Sequence, residues 1–286
     1  MPLVRAAALW TLVLVVTALP ALPQAPTRFS SKVDALRLDV YVDLKDPAGS
    51  RLTAEDFEVI DNGRPRRATL VDVDAMPINV ALLLDGSRST AGADLPAMVS
   101  AVNAVLERIV PGDRVGLMTF SDLVETRAPF TSDVAAVRRA LANARSVGRT
   151  SLTDAVLAGV VAASGAEGRT MLLVCSDGLD NTSFLSRASV EAVLRGSEVV
   201  VYTVLTGRGE DLVGIAEATG GAAFATSGPG GMEKTFANAI ANFRSRYLLS
   251  VTLDADSSPG WHDVSVKLTR RQGRVHHRPG YWSGPH

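Results

Sequence analysis

The sequence predicts an α/β protein with a doubly wound, mostly parallel sheet flanked by helices, joined to a small antiparallel β-sandwich. Continuous apolar runs, typical of strands covered on both faces, recur through the middle of the chain. Amphipathic helical patterns separate these runs, as in folds that alternate strand and helix. Near both ends of the chain, apolar and polar residues alternate strictly, which is typical of strands with one face in water.

Residues 1–25 have the layout of a secretory signal peptide. Arg5 precedes an apolar stretch from Ala6 to Leu19, and prolines and alanines follow. We therefore predict an exported protein that is secreted, periplasmic or held at the cell surface. An uncleaved membrane anchor is the alternative, although the apolar run is shorter than the roughly 20 residues that a spanning helix needs.

Residues 30–76 and 247–283 are predicted to be β segments. Apolar and polar residues alternate from Leu36 to Leu44, and Asn62-Gly63 suits a tight hairpin turn. Each segment is too small to bury a face by itself, so we expect the two to pair into one sandwich around the inserted domain 77–246. Two separate flanking modules are the alternative.

The inserted domain contains five predicted strands and six predicted helices. The strands are Val80–Leu84, Val115–Phe120, Met171–Cys175, Val199–Leu205 and, more weakly, Ala222–Phe224. The helices are residues 95–109, Val134–Ala142, Thr153–Ala163, Arg187–Leu194, Asp211–Ala218 and Met232–Phe243.

Composition and motifs argue against several functions. Lys and Arg total 29 against 30 Asp and Glu, without runs of like charge, so we expect no nucleic-acid partner. A Gly-x-x-x-x-Gly-Lys loop is absent from the sequence, which argues against nucleotide binding. All four histidines lie after residue 246, so a Ser-His-Asp hydrolase is not expected and we predict that the protein is not an enzyme. The adjacent His276-His277 lacks the Cys or acidic cluster of a zinc site.

Three loops that follow or face the predicted strand ends carry the same oxygen chemistry. They contain Asp85-Gly-Ser87-Arg-Ser89, then Gly148-Arg-Thr150, and then Ser176-Asp177-Gly178. Ligands of open α/β sheets gather at the carboxyl ends of the strands. Hard oxygen donors without sulfur or imidazole suit Mg²⁺, or alternatively Mn²⁺ or Ca²⁺. Phosphatases of the haloacid dehalogenase type need a second Asp where this chain has Ser87.

Asp-x-Ser-x-Ser, Gly-x-Thr and Ser-Asp-Gly, in this order, resemble the metal-ion-dependent adhesion site of von Willebrand factor type A domains over residues 77–246. The resemblance implies that Ser87, Ser89 and Thr150 bind the metal directly, and that Asp85 and Asp177 bind it mostly through water. The remaining coordination position then takes an exposed Asp or Glu of a protein partner. Arg88 stands where many members have a small residue, but it removes no ligand.

Asp154 lies just inside a predicted helix start, and two interpretations remain open for it. Its carboxylate either supports Thr150 as a hydrogen-bond acceptor behind the metal ligands or only interacts favourably with the helix dipole.

The flanking segments Leu52–Gly63 and Arg278–Trp282 resemble exported proteins with a type A domain first noticed in Acidobacteria. Together these observations predict an exported, metal-dependent protein-binding or adhesion module. The alternative is a structural scaffold whose metal site is functionally silent. The sequence leaves the identity of the partner and the oligomeric state open.

Overall fold

Three β-sheets and six helices make up the part of the chain that the computed structural model describes, namely residues 35–46, 51–207, 211–226, 229–253 and 259–283. The predicted signal peptide lies outside these residues. Within them, no helix is both long enough and apolar enough to cross a membrane. The strands are β1 (Ala35–Leu44), β2 (Phe57–Asp61), β3 (Arg64–Arg66), β4 (Ala68–Val71), β5 (Ile78–Asp85), β6 (Arg114–Phe120), β7 (Val124–Thr131), β8 (Arg169–Ser176), β9 (Val200–Leu205), β10 (Ala223–Ala225), β11 (Tyr247–Thr252), β12 (Gly260–Leu268), β13 (Gly273–His276) and β14 (Gly280–Ser283). The helices are α1 (Asp94–Leu106), α2 (Val134–Leu141), α3 (Leu152–Ser164), α4 (Arg187–Leu194), α5 (Asp211–Ala218) and α6 (Pro229–Arg244).

The central sheet has the order β10-β9-β8-β5-β6-β7 and is parallel except for β7, which pairs antiparallel with β6. Its middle strand β5 is buried along its whole length because both faces of the sheet are covered. Leu82 packs into the core beneath α1, α2 and α6, whereas Leu83 packs into the core beneath α3, α4 and α5. The predicted α/β fold with a mostly parallel sheet is confirmed.

Strand β7 was not predicted from the sequence. Of its eight residues only Ala128 is fully buried, so its side chains lack the apolar run or strict alternation that indicates a strand. Its place at the sheet edge explains this composition, since an edge strand is held by backbone pairing with one neighbour.

The two end segments form two four-stranded antiparallel sheets, ordered β13-β1-β11-β4 and β14-β12-β2-β3. Strands from both ends of the chain meet in each sheet, as in the pairs Leu38↔Leu249 and Val59↔Val266. Apolar residues from both sheets share one core. The predicted pairing of the end segments is therefore confirmed, and the alternative of two separate flanking modules is wrong.

The turn between β2 and β3 is the tight hairpin that Asn62-Gly63 predicts. Both residues have positive φ, 45° at Asn62 and 78° at Gly63. Two successive residues of positive φ give the turn whose twist matches the flanking strands.

Two buried arginines connect the α/β unit with the sandwich. Arg169, at the start of β8, donates to Asp39 of β1 at 2.6 and 3.0 Å and to the carbonyl of Phe243 at 3.0 Å. Arg246, only 1% exposed, donates to the carbonyl of Asp39 at 3.0 Å and to that of Gly220 at 2.8 Å. All described residues belong to one unit, Val33–His286, so the boundaries at residues 77 and 246 stay predictions.

Candidate metal site

The polar loops singled out in the sequence lie at the carboxyl edge of the central sheet. Adjacent parallel strands β5 and β8 end at Asp85 and Ser176, and α3 begins at Leu152, directly after Thr150 and Ser151. The loops are joined by backbone hydrogen bonds, for instance from Arg88 N–H to the carbonyl of Gly148 at 3.1 Å.

Asp85 is the most deeply buried of the predicted ligands, with 0% exposure. Its Oδ1 accepts a hydrogen bond from the backbone N–H of Ser87 at 2.9 Å, and its Oδ2 accepts one from the hydroxyl of Ser176 at 2.6 Å. Burial raises the pKa of the Asp85 carboxyl, against the lowering effect of the hydrogen bonds from Ser176 and Ser87. The role of Ser176 was missed, because the sequence does not show that its hydroxyl would face the neighbouring strand end.

Ser87 and Ser89 bring two hydroxyl groups together. Their Oγ atoms are 2.8 Å apart, Ser87 is 1% exposed and Ser89 lies at the surface. A short 3₁₀ turn at Arg88–Thr90 produces this arrangement. Thr90 stabilises the turn, since its hydroxyl donates to the carbonyls of Asp85 at 3.1 Å and Ser87 at 2.9 Å.

The backbone N–H and carbonyl of Thr150 are both hydrogen-bonded to the loop that follows β8. Its N–H donates to Oδ1 of Asn181 at 3.0 Å, and its carbonyl accepts from the N–H groups of Asn181 and Thr182 at 3.0 and 3.2 Å. The residue itself is 1% exposed. The sequence did not predict this role of Asn181, because the composition of a polar loop does not show which distant backbone group its amide side chain will bind.

Asp177 is half-buried beside the loop that follows β9. Its Oδ1 accepts from the N–H of Leu179 at 3.0 Å, which fixes one side of the carboxylate. Gly207 lies so close that a Cβ there would be 2.6 Å from the carbonyl oxygen of Asp177. A side chain at position 207 would therefore displace this part of the site.

Asp154 and Asp180 organise the loop between β8 and α4. The two Asp154 oxygens accept from the N–H groups of Phe184 at 2.9 Å and Leu185 at 3.0 Å. Asp180 accepts from the N–H and hydroxyl of Thr153 at 2.8 and 2.6 Å and from the N–H of Ser183 at 3.1 Å. The role of Asp154 behind Thr150 stays a prediction.

The donor set is compatible with a hard divalent cation. It offers carboxylate oxygens from Asp85 and Asp177 and hydroxyl oxygens from three neutral residues, the donors that Mg²⁺ and Ca²⁺ prefer. No group of three or more His, Cys, Asp or Glu side chains suited to a metal occurs among the described residues. A site here would depend on hydroxyl groups.

Both ring nitrogens of His277, in the sandwich, are hydrogen-bonded to the backbone. His277 accepts from the N–H of Val266 through Nε2 at 3.1 Å, so its Nδ1 carries the proton and donates to the carbonyl of Arg278 at 2.6 Å. Burial lowers the pKa of His277. With both ring nitrogens engaged, the residue has no free position for a metal.

Comparison with known proteins shows what the α/β unit is similar to. Residues 80–179 match the family model described as von Willebrand factor type A domain. A von Willebrand factor type A structure from Catenulispora acidiphila aligns with a TM-score of 0.56 and 11% identity, covering 89% of this chain and 76% of that one. Proximal thread matrix protein 1 from the mussel byssus aligns with a TM-score of 0.51 and 19% identity, covering 73% of this chain and 50% of that one.

The chain thus spans about half the length of the mussel protein. Among curated proteins, none matches the sequence. The solved structures establish the likeness of fold, and the family model locates it in sequence at the loops and strands described above. Residues 80–179 are therefore similar in sequence to von Willebrand factor type A domains, and the central α/β unit shares their fold.

Proposed function

We propose that this chain is an exported, non-catalytic protein-binding module whose type A domain offers a divalent cation to an acidic residue of a partner. Asp85, Ser87, Ser89, Thr150 and Asp177 would hold the ion. Mg²⁺ is the proposed cation, with Mn²⁺ and Ca²⁺ as alternatives of the same ligand chemistry. Export rests on the signal-peptide pattern in residues 1–25.

The observation that carries the proposal is the pair of hydroxyls on Ser87 and Ser89, 2.8 Å apart, beside the buried carboxylate of Asp85. Burial of a carboxylate is costly unless a positive charge or hydrogen bonds compensate it. A cation at this edge of the sheet would provide that compensation. The hydrogen bond from Ser176 orients Asp85 and leaves its remaining lone pairs available.

The three hydroxyl ligands are neutral, and the resemblance implies that the two carboxylates bind mostly through water. A divalent ion held in this way would have no negatively charged direct ligand and could still bind a carboxylate of a partner. The chain's own groups then position the ion and leave one face accessible. The surface position of Ser89 and the half-buried position of Asp177 support an open face of the proposed site toward solvent.

Water-proton relaxation with Mn²⁺ tests whether the site keeps an open coordination position. Protein-bound Mn²⁺ with exchangeable waters should enhance relaxation, and excess acetate should reduce the enhancement by displacing water. Thr150→Val, which replaces the hydroxyl with a methyl group, should abolish the relaxation enhancement. The same change at Thr235 on α6 should leave the enhancement unchanged. Enhancement that survives in Thr150→Val, or that acetate leaves unchanged, would refute the proposal.

A further inference from the structure

Large apolar side chains are exposed on the loops around the candidate metal site. Phe184 is 99% exposed, Leu123 73%, Leu179 60%, Val147 58% and Leu185 41%. These five residues, which we call the apolar rim, make up half of the ten large hydrophobic side chains that are exposed in the described part of the chain. Single exposed apolar residues are ordinary, but a cluster of them at one site marks a binding surface.

Hydrogen bonds of the loops place the rim next to the proposed ligands. Val147 donates its N–H at 2.7 Å to the carbonyl of Gly86, the residue between Asp85 and Ser87. Leu179 donates its N–H to the side chain of Asp177 at 3.0 Å. Val147 is therefore connected to the loop that follows β5, and Leu179 to the loop that follows β8.

The remaining rim residues, Leu123, Phe184 and Leu185, are connected to the loop and helix start next to Thr150. Leu123 accepts at its carbonyl from the N–H of Ser121, whose own carbonyl accepts from Ser151, the neighbour of Thr150. Phe184 and Leu185 are held by the carboxylate of Asp154 in the first turn of α3. Because hydrogen bonds of their backbone hold these loops in place, the five apolar side chains stay exposed in the free chain.

Two arginines beside the rim offer positive charge to an acidic occupant. Arg88 and Arg145 lie at the surface on the two loops that carry Ser87, Ser89 and Val147, and neither makes an ion pair among the described residues. Asp154 and Asp180 accept from backbone and hydroxyl donors of their own loops, and these neutral donors leave both carboxylates charged. Positive charge at the mouth of a site steers and selects negatively charged partners.

We propose that the apolar rim is part of the binding surface and selects a protein segment in which an Asp or Glu is flanked by large apolar residues. This inference rests on the proposed function, because the acidic residue is the one that would meet the cation. A few side chains that become fully buried at the centre of an interface, aromatic ones prominent among them, commonly supply most of its affinity. Phe184, almost fully exposed in the free chain, has the most surface to bury.

Selection from a phage-displayed library of random peptides, with Mg²⁺ and with EDTA, tests the inference. The expected result is Mg²⁺-dependent enrichment of peptides that carry an acidic residue with large apolar neighbours. Phe184→Ser and Leu179→Ser should then weaken binding of a selected peptide by about tenfold or more, as expected for loss of a buried anchor. Val161→Ser and Val193→Ser serve as controls and should leave binding unchanged, because these residues on α3 and α4 are about as exposed as Leu179 but belong to no rim loop.

Several outcomes would overturn the inference while leaving the proposed function intact, provided that calorimetry shows Mg²⁺ bound to the same protein. These are enrichment of acidic peptides with polar neighbours, absence of any enrichment, and equal binding by Phe184→Ser. Rim-dependent self-association in sedimentation, or binding to phosphatidylglycerol vesicles, would reassign the rim to a second copy or to lipid. Absence of Mg²⁺ binding would instead refute the proposed function itself.

Discussion

Asp85 lies at the end of strand β5, on the polar edge of the central sheet, where burial of a carboxylate costs free energy. The carboxylate is excluded from water, accepts from Ser87 and Ser176, and has its pKa raised by burial. The sequence motif predicts Asp85, Ser87 and Ser89 because they are close along the chain. Ser176 and Asn181 could not be predicted in the same way, because their roles depend on which loops meet in space.

Asp180 gives a pH-dependent prediction at the same scale. Burial alone would raise the pKa of Asp180, but hydrogen bonds from Thr153 and Ser183 outweigh it and hold the pKa below its ordinary value. A carboxyl whose pKa is lower in the folded state stabilises the fold above its unfolded pKa, and loses that contribution as the pH falls through the folded pKa. Asp180→Asn should therefore lower the free energy of unfolding by about 1 kcal/mol at neutral pH, and less in acid.

Urea unfolding of both proteins across the acid range measures this difference. The control is Asp122→Asn, which removes an exposed ion pair with Arg149 at 3.4 Å and should cost less than about 0.5 kcal/mol. A gap between parent and Asp180→Asn that stayed constant to low pH would show that the carboxylate charge is not the cause.

At the scale of elements, the strands with the strongest apolar runs were predicted well and the edge strand was not. Strands β5 and β8 are buried at every position, so their composition reports their place in the middle of the sheet. Strand β7 is defined by backbone pairing with β6, which side-chain patterns do not reveal. Loop geometry is likewise fixed by contacts between elements, as the close approach of Gly207 to Asp177 illustrates.

Gly207→Ala tests how the loop after β9 supports the site. The new Cβ would lie 2.6 Å from the carbonyl oxygen of Asp177, a backbone atom that can move away only by shifting the residue. We expect Mg²⁺ affinity to fall by about tenfold, the equivalent of about 1.4 kcal/mol.

Calorimetric titration of Gly207→Ala and of a matched variant measures the effect. Gly165→Ala, at the end of α3, places its Cβ no closer than 3.8 Å to any of the atoms around it and should bind Mg²⁺ like the parent. Unchanged affinity in Gly207→Ala would mean that the position of Asp177 does not matter for the ion.

At the scale of the whole molecule, the α/β unit and the sandwich are joined by buried polar contacts. Asp39 is the acceptor for Arg169, whose guanidinium also donates to the end of α6 and lies 4.9 Å from the ring centre of Phe243. The alternating sequence predicted β1 correctly but gave no sign that Asp39 would meet an arginine 130 residues away.

Asp39→Ala should be strongly destabilising, because it leaves the Arg169 side chain, 4% exposed, without its charged partner. Removal of one partner from a buried pair costs about 3 kcal/mol or more. Denaturant unfolding measures the loss. Asp74→Ala, which removes an ion pair that is more than half exposed on both sides, is the matched control and should cost less than about 1 kcal/mol. Equal losses in the two variants would contradict the role assigned to Arg169.

The central claim concerns the ion, and calorimetric titration of Mg²⁺ into the protein tests it most directly. Ser87→Ala is the informative variant, because the hydroxyl that it removes is a proposed direct ligand and otherwise interacts with Ser89 and Asp85. Ser164→Ala, at an exposed position at the far end of α3, removes a hydroxyl that donates to the carbonyl of Val160 and should behave like the parent. We predict saturable binding of one ion by the parent and by Ser164→Ala, and an affinity at least about tenfold weaker for Ser87→Ala. Equal binding by all three folded proteins, or none by the parent, would contradict the account.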